Sequence, residues 1–322
     1  MLFIGIDISK VSFDCALLID DDYQCRQFPN DLKGFKALSK WLKPYNNAML
    51  FCMEATGTYG ISLAKYLAEL NHSIIVVNPI KTHNFAKMEM LRNKTDKADA
   101  MSISRYCRHV FSGGDWQRQC FKPKGAGFER LQYLVTRLEQ LNTFISQESN
   151  RLHVSQDKTA SKSIKLMLKH CKAQIITIEK EIKTIIKDEP ELDEQVTLLL
   201  TIQGVGDKTA WAILAYLGDI ALFDNAKQVA SFAGLNPKIQ QSGTSLNKSN
   251  LSKAGNKRLR KALYMPAIVS MKHNPLMADL YKRLQAKGKP NMLAICAVMR
   301  KLLVIAYGVL KSGKPFDVNY AK

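Results

Sequence analysis

Residues 2–28 read LFIGIDISKVSFDCALLIDDDYQCRQF. Three extended runs, LFIGIDIS, FDCALLID and YQCRQF, are separated by short polar turns, the pattern of strands joined in sequence. A short helical stretch, FKALSKWLKPY, leads to a fourth extended run, AMLFCMEATG, then to helical ISLAKYLAELN and a fifth run, HSIIVVNP. A further helix opens within LRNKTDKADA (91–100). Strands alternating with helices after an opening hairpin predict an α/β domain with a mixed sheet over residues 1–125.

The acids of this domain fall at telling positions. Asp7 lies in the first strand, Glu54 ends the fourth, and Asp96 and Asp99 stand three apart on one face of the later helix. In an open sheet the first and fourth strands can be neighbours, which would gather the four carboxylates at one edge. Carboxylates sharing a site repel unless cations neutralise them. Hard oxygen ligands of this kind suit Mg²⁺ or Mn²⁺, and two such ions can clamp the attacking and leaving oxygens of a phosphodiester. An isolated DxxD is more often a solvated helix face, and spacing leaves that alternative open.

Composition narrows the class of partner. The chain has 322 residues, 46% of them hydrophobic, which suits two or three ordinary domains and excludes a disordered or fibrous protein. Lys and Arg number 47 against 28 Asp and Glu, a net charge of +19 with pI near 9.6, the signature of a phosphate-rich partner. Net charge is +5 over 1–125, +3 over 126–190 and +11 over 191–322. Between 238 and 311 fifteen basic residues face the single acid Asp279, so the last third is the expected grip on a phosphate backbone. Seven scattered cysteines without a CxxC or Cys/His cluster predict a reducing cytoplasm and no structural zinc or disulfide. Neither a signal peptide nor an apolar run near the roughly 18 residues of a membrane span is expected. The expected location is the cytoplasm, beside the nucleoid.

From Leu131 onward, Leu134, Leu138, Leu141 and Ile145 recur at helical spacing, and after SQDKTASKS the pattern returns at Ile175, Ile178, Ile182 and Ile185. Two long amphipathic helices, folded back as an antiparallel pair over 126–190, are predicted, either as a spacer or dimerisation arm or as ordinary helices packed onto a neighbouring domain. Residues 191–322 read as mainly helical, with a polar loop at about 236–256. Within LLTIQGVGDKTAWAILAYLG, Gly204 and Gly206 flank a small turn between apolar helices, the pattern of a helix-hairpin-helix that can hold a backbone phosphate with Lys208 beside it. The DKT stretch lacks the glycine and the leading strand of a P-loop, so ATP use is not expected. In the polar loop, chemistry alone does not choose among Ser242, Ser245, Ser249 and Ser252 as a nucleophile. Ser242 precedes a glycine, and Lys248, Lys253, Lys257, Arg258, Arg260 and Lys261, with Lys94 in the first domain, are the expected nucleic-acid contacts.

GIDIS, EATGTY, NP followed by LRNKTDKADA, then GVGDKTA, FAGLNP, QSG, LSKAGN and ALYMPA stand in one order from about residue 3 to 317. In this the chain resembles the DEDD transposases of bacterial insertion sequences, a family that includes the Piv-type DNA invertases. The resemblance implies a RuvC-like ribonuclease-H domain whose metal-binding tetrad is Asp7, Glu54, Asp96 and Asp99, a coiled-coil arm, and a helical transposase domain. It also implies that Ser242 is a nucleophile forming a phosphoserine bond to double-stranded DNA. Assembly as a dimer or tetramer with a composite site and, in many members, guidance by a structured bridge RNA follow from the same likeness. A Piv-type invertase without guide RNA and a RuvC-like structure-specific nuclease are the nearest alternatives. A sugar-kinase-like ATPase would need glycine-rich nucleotide loops that are not found, and a purely architectural DNA-binding protein gives no reason for the four acids.

Overall fold

The opening stretch forms β1 (Leu2–Ile8), β2 (Ser12–Ile19) and β3 (Asp22–Pro29), antiparallel in sequence. This computed structural model describes residues 1–55, 57–90, 95–242 and 246–318, and the side chains of 240, 242 and 246–249 are outside that description. The chain divides into two compact units, Met1–Pro123 and Lys124–Lys322.

In the first unit α1 (Leu32–Leu42), β4 (Met49–Glu54), α2 (Ile61–Glu69), β5 (Ser73–Val77), α3 (Pro79–Met88) and α4 (Asp96–Ser112) complete a five-stranded mixed sheet of order β3-β2-β1-β4-β5. β1 pairs antiparallel with β2 and parallel with β4, and β4 pairs parallel with β5. The near-continuous apolar run of β1 follows from this central place, where both faces are covered. Leu2, Ile4, Ile6 and Ile8 pack with Leu38 of α1 and Leu63 of α2 on one face. Phe3, with Leu50 and Cys52 of β4, packs with Phe85 of α3 and Ile103 and Cys107 of α4 on the other. Strand periodicity of two then sends Asp7 and Glu54 to the α4 side. β3 is an edge strand, which explains its alternation of polar and exposed residues.

How closely α4 lies on β1 is set by Gly5. A methyl group there would stand 2.1 Å from the Ala100 carbonyl oxygen and 2.2 Å from the Ser104 nitrogen. The facing side of α4 is built to match, with Ala100, Ser104 and Cys107 fully buried.

The second unit is helical with one small ribbon. It comprises α5 (Ala126–Val154), α6 (Lys158–Asp188), α7 (Pro190–Leu200), α8 (Asp207–Leu217), α9 (Ala226–Phe232), β6 (Pro237–Ser242), β7 (Leu246–Leu251), α10 (Lys257–His273), α11 (Pro275–Ala286) and α12 (Asn291–Ser312). α5 and α6 run antiparallel, with Arg130 near the start of one ion-paired to Glu181 near the end of the other. The polar gap expected over 155–163 shrinks to three residues, because Asp157 caps α6 by accepting from the Ala160 amide at 2.7 Å. The division into 126–190 and 191–322 is not visible as two cores. Leu131, Val135, Ile182 and Ile185 at the base of the pair share one apolar cluster with Leu199, Trp211, Leu263 and Leu302.

The polar loop expected over 236–256 is instead an antiparallel hairpin, β6 against β7, with Ser242 opposite Leu246. A two-stranded ribbon is marginal alone, and this one is tied to the core through Leu251. α12 has a mean hydropathy of 2.0 and is long enough to cross a membrane, a length the sequence pattern did not suggest. It is a core helix: Val298, Leu302, Leu303 and Ala306 are buried.

Substitution Gly5→Ala should lower the stability of the first unit by about 2–3 kcal/mol, since backbone rather than a yielding side chain meets the new methyl group. Urea unfolding followed in that unit checks this, and wild-type stability in the variant would refute the close approach.

Candidate catalytic site and nucleic-acid surface

The four acids line one cleft. The register that sets Ile6 beside Met53 places Asp7 and Glu54 at adjacent positions at the ends of parallel β1 and β4. Asp96 and Asp99 occupy the first turn of α4, whose N-cap Thr95 accepts from the Ala98 amide at 3.1 Å. All four border a cleft of about 780 Å³ together with Thr82, His83 and Lys87 of α3. Acids in a helix's first turn are stabilised by its dipole, which accounts for Asp96 and Asp99 singly but not for Asp7 facing them.

Asp7 records the crowding. Its carboxyl is pushed from 3.8 up to about 6, first by burial and then by the charges of Asp99, Asp96, Glu54 and Asp14. Asp14 lies opposite Asp7 on β2 and accepts from Gln27 Nε2 at 2.9 Å. Glu54 Oε1 accepts from the hydroxyl of Thr82, which also lies 3.0 Å from the Pro79 carbonyl oxygen. Among the described residues, no three His, Cys, Asp or Glu side chains stand close enough to grip a metal ion. The donor set is nonetheless of the hard-oxygen type that Mg²⁺ and Mn²⁺ favour.

α3 is not marked by strand or helix periodicity in the sequence, which therefore does not single out Thr82, His83 and Lys87. Its signal is local: Asn78 caps the helix, accepting from the Ile80 amide at 3.0 Å, and Pro79 occupies the first helical position.

In the second unit, Ser242 is the last residue of β6. The side chains of Ser242, Lys248 and Ser249 lie outside the described part of the structure, as do Ser245 and Lys94 entirely. Gly204 has φ +98 and packs against Ser270, so a side chain there would strike the α10 backbone. Gly206 caps α8 with open space where a side chain would stand, which leaves the helix N-terminus approachable. Lys253 and Lys257 are exposed. The remaining expected cations are engaged within the unit. Lys208 pairs with Glu179 at 2.6 Å, and Lys261 donates to Glu139 at 3.1 Å with Arg258 Nε 3.8 Å from the same carboxylate. Arg260 donates to the carbonyls of Ala233 at 2.8 Å and Gly255 at 3.2 Å, tying the end of the ribbon to α9.

Comparison with known proteins gives a consistent answer over nearly the whole length. A family model described as "Transposase IS116/IS110/IS902 family" matches residues 196–282, and a second transposase model, of the IS110 DEDD type, matches residues 4–159. A pilin gene-inverting protein of Moraxella bovis is 35% identical over 328 residues, covering 98% of this chain and 97% of that protein. The chain belongs to the IS116/IS110/IS902 transposase family. The corresponding Moraxella lacunata protein is 34% identical with the same coverage. A Yersinia enterocolitica transposase of insertion sequence IS1328 is 31% identical over 148 residues, 45% of this chain and 43% of that one. As a member of this transposase family, the chain is an enzyme of DNA recombination, and its acid cleft lies within the DEDD-type match.

The raised Asp7 carboxyl has a signed consequence for stability. A folded-state value of about 6 against 3.8 means the folded protein holds this proton more tightly than the unfolded chain. Stability from this group is therefore greatest below about pH 4 and falls as pH rises to about 6. The full shift corresponds to about 3 kcal/mol, and partial exposure screens this to about 1 kcal/mol. Asp7→Asn should thus stabilise the EDTA-treated protein by about 1 kcal/mol at pH 8 and by little at pH 4. Urea titrations at both pH values check it, and a less stable variant at pH 8 would show that the acids do not crowd.

Proposed function

We propose that this transposase-family enzyme is a site-specific DNA recombinase whose strand transfer uses a divalent metal at Asp7, Glu54, Asp96 and Asp99 and the Ser242 hydroxyl as nucleophile. The observation that carries the reading is Asp7, a carboxyl raised to about 6 by burial and by acids from β4 and α4. Like charges gathered from three elements suit a site completed by cations. The sheet order β3-β2-β1-β4-β5, with acids at the ends of adjacent parallel strands, supports a RuvC-like ribonuclease-H assignment. A bound Mg²⁺ or Mn²⁺ supplies positive charge for the oxygens of the reacting phosphate.

The chain's own part is nucleophile and grip. The Ser242 oxygen forms a bond to phosphorus, and the bond from phosphorus to one deoxyribose oxygen breaks. The departing oxygen takes up a proton, and the serine hydroxyl gives one up. The phosphodiester bond is conserved as a phosphoserine, so a hydroxyl of another strand can reverse the step without nucleotide triphosphate. Exposed Lys253 and Lys257 and the open α8 terminus hold the DNA backbone. Phe144, Leu166, Met167 and Ile176, exposed on α5 and α6, support a coiled-coil arm by which copies of the chain associate as a dimer or tetramer. A structured RNA encoded with the element directs the enzyme to its sites.

A second reading is favoured by the full-length likeness to two pilin gene-inverting proteins. On this reading the chain inverts a DNA segment without a guide RNA. Sequencing nucleic acid that copurifies with the protein separates the two: a structured RNA from the adjoining DNA supports guidance, and its absence with recombination intact supports inversion alone.

The chemistry is tested by substitution and trapping. Asp7→Asn, Glu54→Gln, Asp96→Asn and Asp99→Asn should each lower recombination at least about a hundredfold while DNA binding persists. A suicide DNA substrate should leave a nucleotide joined to Ser242, and Ser242→Ala should bind DNA but recombine none. Recombination by an acid variant with Mg²⁺ present would remove that acid from the site. An adduct on Ser245, Ser249 or Ser252 would move the nucleophile, and hydrolysed ends without an adduct would make the enzyme a structure-specific nuclease.

A further inference from the structure

Cations from two separate motifs converge on one cavity of the second unit. Lys208 follows the Gly204–Gly206 turn and opens α8, whereas Arg258 and Lys261 lie in the first turns of α10. All three border a cavity of about 320 Å³ bounded by α5, α6, α8 and α10. Two carboxylates hold them in place. Glu139 accepts from Lys261 Nζ at 3.1 Å and from the Tyr216 hydroxyl at 3.0 Å, and Glu179 pairs with Lys208 at 2.6 Å. Arg258 donates to Thr136 Oγ1 at 3.0 Å, and its guanidinium lies 6.0 Å from the centre of the Tyr216 ring. Beside this polar mouth, Val135, Leu138, Trp211 and Ala212 form an apolar and aromatic wall, with Asn142, Thr143 and Ser146 of α5 on the same lining.

Charge and shape together select the occupant. Three cations against two carboxylates leave one positive charge, the complement of a single phosphodiester. A double helix meets protein cations along its outer backbone and has no use for an apolar recess. A nucleotide whose base has left the stack needs both, a cationic seat for its phosphate and an apolar or aromatic wall for its base. The volume falls at the lower end of the roughly 300–1,000 Å³ of ligand sites, as a compact base requires.

We infer that this cavity receives one unstacked nucleotide of the bound nucleic acid, its phosphate at Arg258 and Lys261 and its base against Leu138 and Trp211. Glu139 is a positioning residue here, holding the two cations and the Tyr216 hydroxyl at the mouth. The inference rests on the nucleic-acid reading above, yet fails separately from it.

The test places 2-aminopurine at each position in turn of short single-stranded DNA and RNA oligonucleotides and follows its emission on binding the full chain. A response confined to one position of either strand is expected, and shows which strand supplies the nucleotide. Ala212→Leu and the half-buried Ala262→Leu fill the cavity without altering charge. Both should abolish that response and weaken binding about tenfold, with the salt dependence of affinity kept. Urea unfolding of each variant verifies folding, and the second variant serves if the first is unstable. Glu139→Gln should diminish the response and, unlike the filling variants, steepen the salt dependence, because it leaves one more positive charge at the mouth. The inference is overturned if no position responds while the wild-type protein binds, or if folded, filled variants keep the response. Competition by deoxyadenosine monophosphate at oligonucleotide concentrations would make the occupant a free nucleotide and overturn it as well.

Discussion

The α4 helix can lie on β1 only because Gly5 has no side chain, and the candidate catalytic site follows from that contact. Backbone atoms of Ala100 and Ser104 occupy the space a methyl group would need. Fixing α4 at this depth brings its first turn, with Asp96 and Asp99, to the end of β1 where Asp7 stands. A larger residue would push the helix outward and separate the acids, because the interior is too closely packed to absorb the difference elsewhere.

The two units treat charge in opposite ways. In the first, like charges are gathered, and burial with the charges of Asp99, Asp96, Glu54 and Asp14 raises the Asp7 carboxyl. In the second, Glu139 and Glu179 answer the cations around the cavity. A crowded acid cleft is costly to the folded protein and useful to a reaction in which negative phosphate must be approached through a cation. Paired charges at the mouth of an apolar recess are held in a fixed geometry and retain only a small excess of charge. The first unit thus gathers charge of one sign, whereas the second pairs opposite signs.

Membership of the transposase family adds a constraint on how these features are used. The two family matches, residues 4–159 and 196–282, fall chiefly on the acid-bearing unit and on the region from α7 to α11. α5 lies within the first match and nearly all of α6 between the two, and the base of the pair shares the core of the second unit, so the pair is anchored rather than appended. Its outer residues, such as Phe144 and Leu166, are exposed.

Much of this was legible in residue order. Periodicity of two in LFIGIDIS and FDCALLID marks the strands, the apolar spacing from Leu131 and Ile175 marks the long helices, and the family motifs mark the four acids. These features are local, and local pattern is what a sequence states directly. The α3 helix buries only Thr82 and Phe85, so it has no apolar stripe to mark it, and only the Asn78 cap and Pro79 announce it and the cleft residues Thr82, His83 and Lys87. The β6–β7 ribbon looked like a loop because its polar residues carry little strand signal and its anchorage through Leu251 is a long-range contact. Pairing partners could not be read at all: that Arg258 and Lys261 meet Glu139, more than a hundred positions away, depends on α5 and α10 both packing against α8. Sequence thus names the groups that can act on phosphate, whereas the depth of a helix on a sheet and the packing of distant helices determine which of them stand together.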